Sequence, residues 1–159
     1  SAGDRRMSGV IRIQEDDLDA LAEVAAVSVG DTRVGGVVSF IGLMRDFNVG
    51  QAVQGMTLEH YPGMTEKALQ AIVDQAGQRW NLESAMLIHR VGRLQPQDPI
   101  VLVAVASAHR GEAFRGCEFI IDYLKTRAPF WKKEQRADGE HWVEARAQDR
   151  EAERRWQSE

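Results

Sequence analysis

The run Ile100-Val101-Leu102-Val103-Ala104-Val105-Ala106 constrains this chain more than any other stretch. It is apolar at every position, so a strand built from it must be covered on both faces, which makes it the central strand of a sheet. Helix and strand patterns alternate around it without repeats, linkers or low-complexity tracts. Val10-Ile11-Arg12-Ile13 alternates like a short strand, and residues 16–27 follow with Leu18, Leu21, Ala22 and Ala25 on one helical face. Residues 35–45 read as a strand that runs into a mobile loop over 43–50. A second strand over 56–61 stops at Pro62-Gly63, and a helix from about 65 to 80 turns Ala68, Leu69, Ile72, Val73 and Ala76 inward. Strands over 85–91 and 100–107 are divided by the turn Gln95-Pro96-Gln97-Asp98-Pro99. Residues 130–135 and 140–145 form a hairpin closed around Asp138-Gly139. A charged helix over 148–156 follows, its late arginines read mainly as solvated surface. The expected fold is α+β: one domain over residues 1–159, with a mostly antiparallel sheet flanked by helices and a C-terminal hairpin subdomain.

At 159 residues, 43% hydrophobic and 28% charged, the chain has enough material for one sizeable core. A formal net charge of −4 argues against a general nucleic-acid surface, so any basic cluster is a local feature. The one cysteine, Cys117, falls on the apolar stripe of a helix, where a small core residue is the expectation. No Cys/His spacing resembles a zinc site, and neither a metal nor a cofactor is expected. No apolar run approaches membrane length, and the first residues lack the apolar segment of a secretory signal, so the expected location is cytoplasmic. Residues 1–6 carry no pattern, Met7 is a candidate native start, and residues 1–9 are expected to lie outside the fold.

Chemistry concentrates in residues 122–134, DYLKTRAPFWKKE. Ala113, Cys117, Ile120, Ile121 and Leu124 recur at helical spacing and bring Lys125 into the last turn of a helix that Pro129 ends at Ala128. Lysine in a last turn is often no more than a complement to the helix dipole. Here Arg127, Lys132 and Lys133 stand nearby and Phe130 and Trp131 are available to anchor the segment, an environment that suits an anion and can lower a lysine pKa. A second candidate is Ser107-Ala108-His109-Arg110, where the central strand gives way to a helix and backbone N–H groups meet a positive dipole end.

Together these pieces resemble the catalytic, large subunit of molybdopterin synthase. The similarity rests on Arg45 after the strand Val37-Val38-Ser39-Phe40-Ile41-Gly42, on Leu58-Glu59-His60-Tyr61-Pro62-Gly63-Met64, on the SAHR motif at 107–110, and on DYLKTRAPFWK at 122–132. It runs from about Val34 to Trp156. The resemblance implies an α/β hammerhead-like fold. It also implies a sulfurtransferase of molybdenum cofactor biosynthesis, which converts cyclic pyranopterin monophosphate, an anionic pterin, to molybdopterin. The sulfur donor it implies is the C-terminal Gly-Gly thiocarboxylate of a small ubiquitin-like partner subunit, in a heterotetramer built on a homodimer of the large subunit. On this resemblance Lys125 and Lys132 are the catalytic candidates. Leu43, Met44, Arg45, His109 and Arg110 join those two lysines as substrate-binding candidates, with Lys133, Glu134 and Arg146 of second rank. Glu134 is equally readable as a surface carboxylate. The competing reading is a non-enzymatic module that binds a nucleotide or another phosphate ligand, with Phe130 and Trp131 as a stacking platform.

Overall fold

The computed structural model describes residues 7–48, 51–143 and 147–158. Arg146 lies outside them. The elements are β1 (Ser8–Gln14), α1 (Ala20–Ala26), β2 (Gly36–Leu43), β3 (Phe47–Asn48), β4 (Gln51–Ala52), β5 (Gly55–His60), α2 (Met64–Arg79), β6 (Leu82–Arg90), β7 (Gly92–Leu94), β8 (Pro99–Ser107), α3 (Arg110–Arg127), β9 (Phe130–Arg136), β10 (Gly139–Val143) and α4 (Ala147–Gln157).

β8 is an inner strand of a four-stranded sheet ordered β1-β6-β8-β2, antiparallel except where β1 runs parallel to β6. Its residues from Val101 to Ala106 are at most 3% exposed, as a strand apolar on both faces requires. Val101, Val103 and Val105 meet α2 and α3 through Leu69, Ile72, Val73, Phe119 and Ile120, whereas Leu102 and Ala104 meet Leu18 and Ala20. Each buried aliphatic side chain of this kind is worth about 1.5–3 kcal/mol, so the two clusters fix which face each helix covers. A methyl group on Gly35 would come within 2.2 Å of the Ala108 carbonyl oxygen. The chain entering β2 therefore presses on the strand-to-helix junction, and only glycine fits there.

The second sheet, ordered β10-β9-β5-β7, is antiparallel throughout. The C-terminal hairpin is thus no separate appendage: β9 pairs along β5, and β7, too short at three residues to leave a pattern, closes the far edge. β1 begins at Ser8, not Val10, and Ser8 and Gly9 pair with Ser84 and Ala85 although they were expected outside the fold. An edge strand needs only backbone groups for such pairing, so exposed Ser and Gly suffice.

The expected mobile loop after β2 also departs from its reading. Met44 is 5% exposed and packs with Val53, Met56, Leu58, Val91 and Leu94, while β3 and β4 form a short antiparallel pair; residues 49–50 are outside the described set. α4 docks through Trp156, 6% exposed, which sets its ring edge-on to Trp80 and Phe119 and donates from Nε1 to Asp122 Oδ2 at 2.6 Å. Its late arginine Arg155 stays largely in solvent, as expected. Among the described residues no helix is long and apolar enough to cross a membrane.

Candidate active site

Pro129 sets the geometry from which the site grows. It forces Ala128 out of helical conformation (φ −85°, ψ 130°), so α3 stops at Arg127 and the chain turns directly into β9. Thr65, fully buried at the start of α2, holds the turn: its hydroxyl donates to the Pro129 carbonyl at 3.1 Å and accepts from the Tyr61 N–H at 2.9 Å.

The hairpin expected over 130–135 and 140–145 is present as β9 and β10, and strand alternation separates neighbouring cations. Phe130, Lys132 and Glu134 lie on one face of β9 and Trp131, Lys133 and Gln135 on the other. Lys132 is registered between Leu58 on β5 and Val143 on β10. Lys133 instead sits over the Trp142 ring at 4.6 Å and pairs with Glu140 at 3.5 Å. Only Phe130 anchors inward; Trp131 is 39% exposed and meets Tyr61 edge to face at 4.5 Å. Glu134 is no surface carboxylate: it is 1% exposed and accepts from Arg136 at 3.1 Å, which makes it part of the sheet's interior. Arg127 pairs with Glu153 at 2.7 Å and covers the Tyr123 ring at 4.4 Å, tying α3 to α4.

Lys125 is exposed in the last turn of α3, so the aromatics expected to anchor this segment do not bury its side chain. Its neighbour across the turn is His89, which the sequence reading passed over. The His89 ring stacks on Phe130 with centroids 4.0 Å apart and planes 19° apart, and its Nδ1 lies 2.8 Å from the Arg90 carbonyl. A carbonyl only accepts, so Nδ1 carries the hydrogen and Nε2 keeps its lone pair. Burial pushes the His89 pKa down to about 4 against the pull of that carbonyl, and the positive charges of Lys125 and His60 push the same way. A visible signal existed: His89-Arg90 follows the apolar run Ala85-Met86-Leu87-Ile88 with two ionisable residues.

The shift has a stability consequence. A histidine kept neutral in the folded state favours folding fully above the unfolded value of 6.5 and loses that contribution as pH falls toward about 4. The difference amounts to about 3 kcal/mol at most. His89→Phe preserves a ring against Phe130 and should flatten the loss of stability between those two pH values, as read by urea unfolding at pH 7.5 and 4.5. An unchanged acid slope in the variant would show that other groups control it.

Leu43, exposed at 53%, pairs with Pro99 at the start of β8, so Arg45, also exposed, emerges at the same end of the first sheet as His89, which pairs with Val101. Met44 faces the core and can offer a ligand only its backbone. Ser107, His109 and Arg110 stand at the opposite end. His109 caps α3 and Lys125 comes 16 positions later, a rise of about 24 Å, so one chain does not bring His109 and Arg110 to the lysines.

Cys117 is 4% exposed, directs its S–H to the Val103 carbonyl at 3.9 Å, and has its pKa pushed up to about 12, chiefly by burial. It holds no thiolate near neutral pH. Among the described residues no three His, Cys, Asp or Glu side chains group to hold a metal ion. A cavity of about 320 Å³ at the Arg136 end of β9, lined by Gln54, Arg93, Gln135 and Glu140 among others, includes none of the expected site residues.

Comparison with known proteins gives a consistent picture. The chain is 63% identical over 146 residues to a molybdopterin synthase catalytic subunit of Ralstonia nicotianae, covering 92% of this chain and 83% of that one. The solved structure of a molybdopterin biosynthesis MoaE protein from Burkholderia ambifaria superposes with a TM-score of 0.81 at 53% identity, covering 95% of this chain and 99% of that one. At 17% identity, with a TM-score of 0.69 over 87% of this chain and 91% of the other, a Helicobacter pylori protein–protein complex of subunits 1 and 2 of molybdopterin-converting factor shares the fold. Residues 13–127 match the family described as MoaE protein, a span that runs from β1 through all of α3, and the chain belongs to that family.

Proposed function

We propose that this chain is the catalytic subunit of a molybdopterin synthase, adding two sulfurs to cyclic pyranopterin monophosphate with the C-terminal thiocarboxylate of a small ubiquitin-like partner as donor. The observation that carries the reading is the convergence of Lys125 and Lys132 at the His89–Phe130 stack. Lys125 lies close enough to His89 to bear on its charge, and Lys132 follows Phe130 by two positions on the same face of β9, about 7 Å along the strand. Two ammonium groups brought to one stack suit a phosphorylated substrate and an anionic sulfur donor.

The thiocarboxylate sulfur displaces a substrate oxygen to give a thioester, and water then cleaves its acyl C–S bond, leaving the sulfur on the substrate and a carboxylate on the partner. Lys125 stabilises the oxyanion formed on that carbonyl as water adds. Lys132 holds the phosphate, and Arg45 at the same sheet end offers it a bidentate fork. With its only cysteine buried and protonated, the chain has no sulfur nucleophile of its own, which supports a donor brought by a partner. Glu134 acts through Arg136 and the sheet, and Lys133 lies on the face away from Lys132, so both are peripheral to the substrate in a single chain.

His109 and Arg110 enter from a second copy. β2 is an outer strand of the first sheet and exposes Val37, Phe40 and Leu43. Two copies set side by side along β2 about a two-fold axis run antiparallel there, so the Gly36 end of one, beside His109, meets the Leu43 end of the other, beside Arg45. A heterotetramer with one small subunit at each end of this dimer follows, working in the cytoplasm, and the chain acts as one domain without a cofactor of its own.

Purified chain, thiocarboxylated partner and cyclic pyranopterin monophosphate should together yield molybdopterin. Lys125→Arg should keep KM and lose about 100-fold in kcat, because arginine preserves charge but not lysine's compact geometry. Turnover near normal in that variant would reduce Lys125 to a binding role, and absence of product from the unmodified chain would favour the phosphate-binding module.

A further inference from the structure

Arg90 is the one arginine of the described residues buried to 5%, at the end of β6 on the face opposite His89. Its Nη2 donates to the Glu15 carbonyl at 2.9 Å and lies 3.5 Å from Asp17 Oδ1, its Nη1 lies 3.7 Å from Asp98 Oδ2, and its Nε is buried with no hydrogen-bond partner. Stability alone is a poor reason for this residue, since a buried guanidinium with an unsatisfied N–H costs more than an apolar side chain of similar size. The geometry it maintains is more informative. Asp98 Oδ2 also accepts the Gln95 N–H at 2.8 Å and closes a turn in which Gln97 holds φ +75°, a left-handed conformation unusual for a side chain of this kind. That conformation aims the Gln97 N–H at the Met44 carbonyl, 2.7 Å away, while the Met44 N–H donates to the Asp98 carbonyl at 2.9 Å. The next residue is Arg45.

We propose that Arg90 is a positioning residue for Arg45, acting through Asp98 and the turn over residues 95–98. The guanidinium draws the Asp98 carboxylate inward, the turn keeps its strained shape, and its two backbone bonds to Met44 set where Arg45 leaves the sheet. Packing of the Met44 side chain fixes the depth of the segment; the pair of bonds fixes its rotation about the strand axis, which decides where a long exposed arginine can reach. The inference rests on the reading of Arg45 as a ligand for the substrate phosphate.

The test is a double-mutant cycle on the reconstituted complex, with KM for the pterin monophosphate and kcat measured separately. Arg90→Met should raise KM on the order of tenfold, the loss expected when one charge-assisted phosphate contact is misplaced, and should leave kcat within about twofold. In an Arg45→Ala background the same substitution should add nothing to KM, because its effect passes through Arg45. Asp98→Ala cuts the connection one step later and should reproduce the KM effect, which keeps the test decisive if Arg90→Met folds poorly. Additive effects on KM, or a fall in kcat with KM unchanged, would overturn the inference. If Arg45→Ala itself leaves KM unaltered, the phosphate reading of Arg45 fails first and the inference falls with it.

Discussion

A partner subunit that lacks its last two glycines is expected to give no molybdopterin with this chain, while a full-length partner without the thiocarboxylate still binds. On the proposed function the sulfur reaches Lys132, registered between Leu58 and Val143 on β9, on the partner's C-terminal tail, whose end must lie extended and close against the protein. Two glycines meet that condition. Delivery on a tethered tail also supplies orientation, and intramolecular positioning of this kind is worth about 10⁵-fold or more, so a free sulfide source should not substitute at ordinary concentrations. The measurement is product formation alongside binding by calorimetry for the two altered partners. Turnover with the truncated partner would exclude the tail as the sulfur donor.

The second large effect comes from mixing two inactive variants. His109 and Lys125 stand at opposite ends of α3, about 24 Å apart along a single helix, so in the proposed dimer each site would take its lysines from one subunit and its His109-Arg110 pair from the other. Lys125→Ala and His109→Ala dimers each lack an intact site and should be nearly inactive. Unfolded together in equal amounts and refolded, they form mixed dimers in about half of all pairings, each with one site carrying both defects and one carrying none, so roughly a quarter of wild-type activity should return. Mixed dimers confirmed by mass but no more active than the two variants separately would put both residues in one subunit's site.

The central strand shows what was legible without coordinates. A seven-residue run apolar at every position has few options other than a covered inner strand, and β8 is that strand. Pro129 likewise ended α3 where local sterics require, because a proline restricts the residue before it in any context. Cys117 was readable as a core residue from helical spacing alone. These features depend on interactions within a few residues, which sequence encodes directly.

The site depended on contacts that sequence distance conceals. Lys132 and Lys133 are adjacent, but pairing of β9 between β5 and β10 turns them to opposite faces, and only the register decides which one points inward. Glu134 became an interior carboxylate because Arg136 on the same strand satisfies it at 3.1 Å. Met44 left the expected loop because an apolar cluster of Met56 and Leu58 on β5, Val91, and Leu94 on β7 was within reach. His89 and Arg90 drew no notice as two residues at a strand end, yet packing against Phe130 on one face and Asp98 on the other joined them to both halves of the site. The sequence by itself determined the longer strands, the end of α3 at Pro129 and the family motifs, since local sterics and hydrophobic periodicity act along the chain. Tertiary structure alone decided which side chains share a face and which stand a helix apart, since long-range strand pairing and burial act between segments that the chain does not order in advance.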